Sequence, residues 1–66
     1  MAIMRIRELR ERAGLSQSEL ARRMGVKRPS VIQWELGQSY PTADKLPRLA
    51  EVLACTVDEL YEKSTA

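Results

Sequence analysis

The sequence predicts an all-α protein, a compact domain of five short helices, and three observations predict it. Apolar residues recur at helical spacing along most of the chain, and no run alternates apolar and polar residues as a half-buried strand does. Glycines, prolines and two Ser/Thr-x-x-Glu boxes divide the chain into short segments.

Each element has its own warrant. Ile3, Ile6, Leu9 and Ala13 fall on one side of a first helix, Ile3 to Ala13, with arginines and glutamates between them, and Gly14 stops it. Ser16-Gln17-Ser18-Glu19 is a capping box: Ser16 accepts from a backbone N–H while Glu19 reaches back, so a second helix starts near Gln17. It runs to Met24 with Leu20, Ala21 and Met24 inward, and Gly25 ends it, since glycine takes a positive φ at little steric cost. Pro29 marks the first turn of a third helix, where a missing N–H does no harm, and that helix runs to about Leu36. Two helices joined by so short a glycine turn cross steeply.

Gly37-Gln38-Ser39-Tyr40-Pro41 is a loop. A fourth helix begins between Thr42 and Lys45 and ends at Leu53, with Leu46, Leu49, Ala50 and Leu53 apolar; Pro47 must lie near its first turn, which favours the later start. Thr56-Val57-Asp58-Glu59 is a second capping box, opening a short fifth helix with Leu60 and Tyr61 on its apolar side.

The 66 residues make one small domain, 1–66, of globular composition: 44% are hydrophobic and 30% charged. At this size only about 60% of the unfolded chain's surface is buried. A binding surface is easier to build than a lined catalytic cavity. With one cysteine and no histidine there is no disulfide, no zinc cluster of the Cys/His kind and no histidine acid-base catalyst. No nucleophile-base pair is present, so the chain is not expected to be an enzyme, and no metal or other cofactor is expected. No apolar run approaches the roughly 18 residues of a membrane span, and MAIMRIREL lacks the apolar stretch of a signal peptide. A reducing cytoplasm is the expected location.

Net charge is only +2, but it is unevenly distributed. Residues 1–33 carry eight Arg/Lys against three acids, +5, and residues 34–66 carry three against six, −3. The N-terminal half is the half suited to a polyanion.

The segment from 17 to 36 has a particular geometry. Ala21 is small where the third helix must approach, Gly25 sits in the turn, and Val31 and Trp34 share the side of the third helix that packs back on the domain. Arg28, Pro29, Ile32, Gln33 and Leu36 share the other side, too apolar for a plain solvent face and too polar for core. Trp34 reads as core rather than as a platform for stacking on bases. Cys55 reads as a small buried hydrophobe rather than a reactive thiol.

The strings LRERAGLSQSELARRMGV, IQWELG, YP and LPRLAEVLACTVDEL, in that order, resemble the Cro/phage-repressor-like (Xre-type) helix-turn-helix domains over nearly the whole chain, from about Leu9 to Leu60. The resemblance implies a lambda-repressor-like five-helix fold with its helix-turn-helix at 17–36. It also implies a sequence-specific DNA-binding transcriptional regulator, a repressor that inserts its third helix into the major groove of double-stranded DNA. Such domains act as homodimers on near-palindromic operators, and here the dimer is expected to be weak without DNA. Neither a membrane partner nor a small-molecule ligand is expected.

Carried over residue by residue, the resemblance implies base contacts from Arg28, Pro29, Ile32 and Gln33. Arg28 can reach guanine O6/N7 or a phosphate, Gln33 can pair with adenine N6/N7, and Pro29 and Ile32 can meet thymine methyls. Phosphate contacts are implied at Ser16, Gln17, Lys27, Ser30, Gly37, Gln38 and Ser39, and the N-terminus of the second helix favours an anion beside Gln17. Arg10 and Glu35 match a buried ion pair of several family members. Arg5, Arg7, Arg12, Arg22 and Arg23 are solvated charge, of which one or two approach phosphates.

The chain departs from the family pattern at four positions. Lys27 stands where Ser or Thr usually caps the third helix, Ala54 stands where glycine often ends the fourth, and Ile32 and Leu36 replace residues that are commonly polar. A protein-interaction module, antitoxin-like, is the alternative function, because Pro29, Ile32 and Leu36 form an apolar face.

Overall fold

The computed structural model describes residues 4–61. Its helices are α1 (Ile6–Arg12), α2 (Gln17–Met24), α3 (Arg28–Leu36), α4 (Leu46–Val52) and α5 (Val57–Leu60), with a single 3-10 turn, Ala43–Lys45, leading into α4. The order is that of the five-helix domain expected, with α2 and α3 forming the helix-turn-helix.

Both capping boxes form. The Glu19 N–H donates to Ser16 Oγ at 3.0 Å and the Ser16 N–H donates to Glu19 Oε1 at 2.9 Å, so α2 starts at Gln17 as expected. Thr56 and Glu59 repeat the arrangement at the start of α5. At the other end of α2, Gly25 has φ 70°, and the next N–H, from Val26, reaches back to the Ala21 carbonyl at 2.9 Å. A Cβ at Gly25 would meet nothing within 4 Å, so it is the positive φ alone that calls for glycine. The end of α4 makes the same turn with a different residue: Ala54 has φ 55°, and Cys55 N–H donates to the Ala50 carbonyl at 2.9 Å. The alanine therefore bears a left-handed conformation that glycine adopts at less steric cost. Lys27, at the N-cap of α3, makes no side-chain capping bond.

Several helix boundaries differ from expectation. The first helix begins at Ile6 because Met4 forms an antiparallel bridge with Tyr61, and Arg5 N–H donates to the Leu60 carbonyl at 2.7 Å. That pairing holds residues 4 and 5 out of helical conformation, while Ile3 lies outside the described residues. Ala13 is an exposed C-cap rather than an inward helical position. The fourth helix starts at Leu46, after the 3-10 turn, with Pro47 in its first turn where the absent N–H costs nothing. Tyr61 leaves α5 in extended conformation to make the bridge and is 43% exposed, so only Leu60 of that pair is apolar lining.

Ile6, Leu9, Leu20, Val31, Leu49, Leu53 and Leu60 are fully buried, joined by Met4, Ala21, Met24, Trp34 and Ala50. Every helix contributes to this core, and α2 packs on both α3 and α4. Cys55 packs at its edge, and burial pushes its thiol pKa up, away from the reactive thiolate.

Candidate nucleic-acid interface

Burial of Val31 and Trp34 fixes how α3 is rotated, and the opposite side follows from that rotation. Arg28, Pro29 and Gln33 are exposed on it, Ile32 is half-buried, and Leu36 is 64% exposed. Lys27 is exposed just before the helix and Ser30 is half-buried in its first turn. The face thus combines two long hydrogen-bonding side chains with an apolar strip.

A hydrogen-bonded chain runs beneath this face and joins three helices. Arg10 on α1 donates through Nε to Glu35 Oε2 at 2.6 Å and through Nη2 to Glu35 Oε1 at 3.5 Å. Its Nη1 donates to the Leu15 carbonyl at 2.8 Å, tying the α1–α2 turn to the same guanidinium. The two side chains are only 11% and 5% exposed. Gln17, the first residue of α2, donates from Nε2 to Glu35 Oε1 at 3.0 Å and accepts at Oε1 from Arg28 Nη2 at 3.4 Å. Arg10, Glu35, Gln17 and Arg28 are therefore one network, and it leaves no buried side-chain polar atom unsatisfied among the described residues.

The remaining expected phosphate contacts fall on both sides of α3. Ser16 accepts with its hydroxyl oxygen in the capping box, so the hydroxyl hydrogen is its remaining donor. The capping carboxylate, Glu19, is held below the usual carboxylate range by the Ser16 backbone N–H and then by the Ser16 side chain. Among the described residues, no hydrogen bond engages the backbone N–H groups of Gln17 and Ser18, which stand free at the positive end of α2. After α3, Gly37, Gln38 and Ser39 follow in a loop anchored by the buried Pro41. Ser39 Oγ donates to Gln33 Oε1 at 3.4 Å, so the loop also touches the outward face.

A groove of about 380 Å³ runs beside α3, lined by Arg7, Arg10, Gln17, Ile32, Glu35 and Leu36. Arg7, which pairs with Glu11 at 3.5 Å along α1, is the one of the five unassigned arginines that it places there; Arg5 pairs with Glu8 at 2.7 Å. Arg7 lies three residues before Arg10 on α1 and shares its face. That spacing, added to the expected Arg10–Glu35 pair, was a signal in the sequence that would have singled it out. The links from Gln17 to Glu35 and to Arg28 had no comparable signal. Among the described residues there is no group of three His, Cys, Asp or Glu side chains placed to hold a metal ion. No helix among them is long and apolar enough to cross a membrane.

Comparison with known proteins shows the family of the chain. A family model described as helix-turn-helix matches residues 6–60. An uncharacterized HTH-type transcriptional regulator of Archaeoglobus fulgidus is 33% identical over 57 residues, covering 86% of this chain and 81% of the relative. The HTH-type transcriptional activator BcrR of Enterococcus faecalis is 32% identical over 56 residues, and there the match spans only 28% of the relative's length. The P22 c2 repressor, solved in complex with a synthetic operator, superposes with a TM-score of 0.79 at 32% identity over 85% of each chain. The restriction-modification controller protein C.AhdI of Aeromonas hydrophila superposes with a TM-score of 0.76 at 39% identity, again over 85% of each chain.

Proposed function

Because the chain belongs to the helix-turn-helix family of transcriptional regulators, we propose that it binds double-stranded DNA with α3 in the major groove and represses transcription by occupying a near-palindromic operator. The observation that carries this reading is the division of α3. Val31 and Trp34 are buried and Glu35 is tied to Arg10, while Arg28, Pro29 and Gln33 project outward from the helix so anchored.

Gln33 supplies an acceptor and donors for adenine N6/N7, Arg28 supplies donors for guanine O6/N7, and Pro29 with Ile32 supplies apolar contact for thymine methyls. Ser16, the free N–H groups at the start of α2, Lys27, Ser30 and the 37–39 loop meet phosphates and set the register. Arg7, across the groove from Ile32 and Leu36, adds one more phosphate contact. A homodimer places two copies of α3 about 34 Å apart, one turn of the double helix. Its contact would use Tyr61, which is exposed, and not Leu60, which is core. The protein acts in the cytoplasm, without catalysis and without a bound small molecule.

Footprinting on DNA from around its own gene tests the reading, comparing the wild type with Arg28→Ala and Gln33→Ala. Each variant is expected to lose about 5- to 150-fold of discrimination at one base pair, equivalent to 1–3 kcal/mol. Arg7→Gln is expected to weaken every sequence alike and to reduce the slope of log K against log salt by about 0.9. Folded variants that bind with unchanged affinity and preference would remove α3 from the reading role.

The exposure of Leu36 supports a second reading, an antitoxin-like module that uses this apolar strip against a partner protein. Binding of that kind would be nearly insensitive to salt, whereas DNA binding through several phosphates weakens steeply with it.

A further inference from the structure

We infer that Glu35 is a positioning residue for sequence recognition: through Gln17 it sets the direction in which Arg28 presents its guanidinium. The inference rests on the DNA-reading role of α3 proposed above.

The argument is one of hydrogen-bond polarity. An ionised carboxylate can only accept, so the side of the Gln17 amide that faces Glu35 must be its NH2 group. The observed bond, Gln17 Nε2 to Glu35 Oε1 at 3.0 Å, satisfies this. The amide has two unlike ends, and once one is fixed the other is fixed with it. Gln17 Oε1 must therefore point away from Glu35, and the donor it meets is Arg28 Nη2 at 3.4 Å. Glu35 in turn is held by two nitrogens of Arg10, whose third is held by the Leu15 carbonyl. A nearly buried ion pair thus orients an amide, and the amide supplies an acceptor to an exposed arginine that would otherwise sample many rotamers.

Arg28 has five N–H donors in a fixed fork, so fixing one of them restricts where the others can point. A bidentate contact to guanine demands such restriction, and the entropy of ordering the side chain is then partly spent before DNA arrives. Gln33 is the internal comparison. It sits on the same face but is held by Ser39 from the loop, outside the network, so its base preference should not depend on Glu35.

Glu35→Gln keeps the shape and removes the polarity. The new amide can present its own NH2 to Gln17, which lets Gln17 turn its NH2 toward Arg28, where two donors would then face each other. The test is selection of binding sites by the full chain from a duplex library with every operator position randomised, for wild type, Glu35→Gln, Gln17→Met, Arg28→Ala and the double variant Glu35→Gln/Arg28→Ala. Glu35→Gln is expected to lose about tenfold of preference, within the range of one bidentate contact, at the position that Arg28→Ala also flattens. The preference due to Gln33 should persist, and the double variant should match Arg28→Ala alone.

Gln17→Met leaves the ion pair intact and cuts the relay, so it decides the matter if Glu35→Gln does not fold; it should flatten the same position. Uniform weakening by Gln17→Met with a reduced salt slope makes Gln17 a phosphate contact and overturns the relay. So does a Glu35→Gln profile that keeps the wild-type preferences or loses one elsewhere. A wild type that selects no sequence overturns the DNA-reading role itself.

Discussion

Replacing Arg10 by Met removes one half of the ion pair and leaves the other in place. The Glu35 side chain is 5% exposed, so the stranded carboxylate has almost no access to water. Breaking a buried pair from one side costs about 3–5 kcal/mol. Here Gln17 Nε2 still donates to Glu35 Oε1 at 3.0 Å, which places the expectation at the lower end, about 3 kcal/mol. A chain of this length has a total stability of roughly 3–10 kcal/mol at 0.05–0.15 kcal/mol per residue, so the change removes at least about 30% of it.

At roughly 4–8 °C per kcal/mol for a domain of this size, the midpoint of thermal unfolding should fall by about 12–24 °C. Urea unfolding followed by the fluorescence of the buried Trp34 and by far-ultraviolet circular dichroism measures the loss directly. The double variant Arg10→Met/Glu35→Leu leaves no charge to strand and should return to within about 1 kcal/mol of the wild type. If Arg10→Met alone costs less than about 1 kcal/mol, the pair behaves as an exposed one does. The account of α3 as a helix anchored by a desolvated charge pair is then wrong.

Three further outcomes follow from features of the helix ends. Ala54→Gly relieves a left-handed alanine, worth about 1–2 kcal/mol, against the greater chain entropy that glycine loses on folding; a net gain of about 0.5–1 kcal/mol in urea unfolding is expected. Lys27→Ser supplies the missing cap of α3 and should add about 1 kcal/mol, while removing one cation from the proposed DNA face and reducing the salt slope by about 0.9. Glu19 has its folded pKa lowered from 4.5 by the capping bonds, so the stability it contributes is full above that value and is lost as pH falls through the lower folded pKa. Stability profiles of wild type and Glu19→Gln measured between neutral and strongly acidic pH should therefore converge at the acid end, and parallel profiles would show that the charge of Glu19 contributes nothing.

The parts of the fold legible in the sequence are those decided within a few residues. Ser16 and Glu19 are close enough to cap each other in any context, and Gly25, Pro29 and Gly37 bound α3 through their own backbone geometry. Apolar periodicity at Ile3 and Ile6 said nothing of Tyr61, yet the Met4–Tyr61 bridge is what sets the start of α1. Tyr61 itself looked like a continuation of the apolar side of α5, because alternation cannot register a backbone that turns extended after one helical turn.

At the site, the outward set Arg28, Pro29 and Gln33 followed from spacing once Val31 and Trp34 were assigned inward. The partners of Gln17 did not follow. They depend on how three helices meet, and a glutamine at a helix start looks the same whether its amide faces solvent or a buried carboxylate.

The bridge between residues 4 and 61 also has a consequence for how this domain can be joined to anything else. Segments attached before residue 4 and after residue 61 would leave from neighbouring points on one edge, so either attachment reaches the same surroundings. A short peptide linking residue 61 back to residue 4 should close the backbone into a ring with little distortion, and a new pair of ends cut into the 37–40 loop would give a circular permutant with the same core.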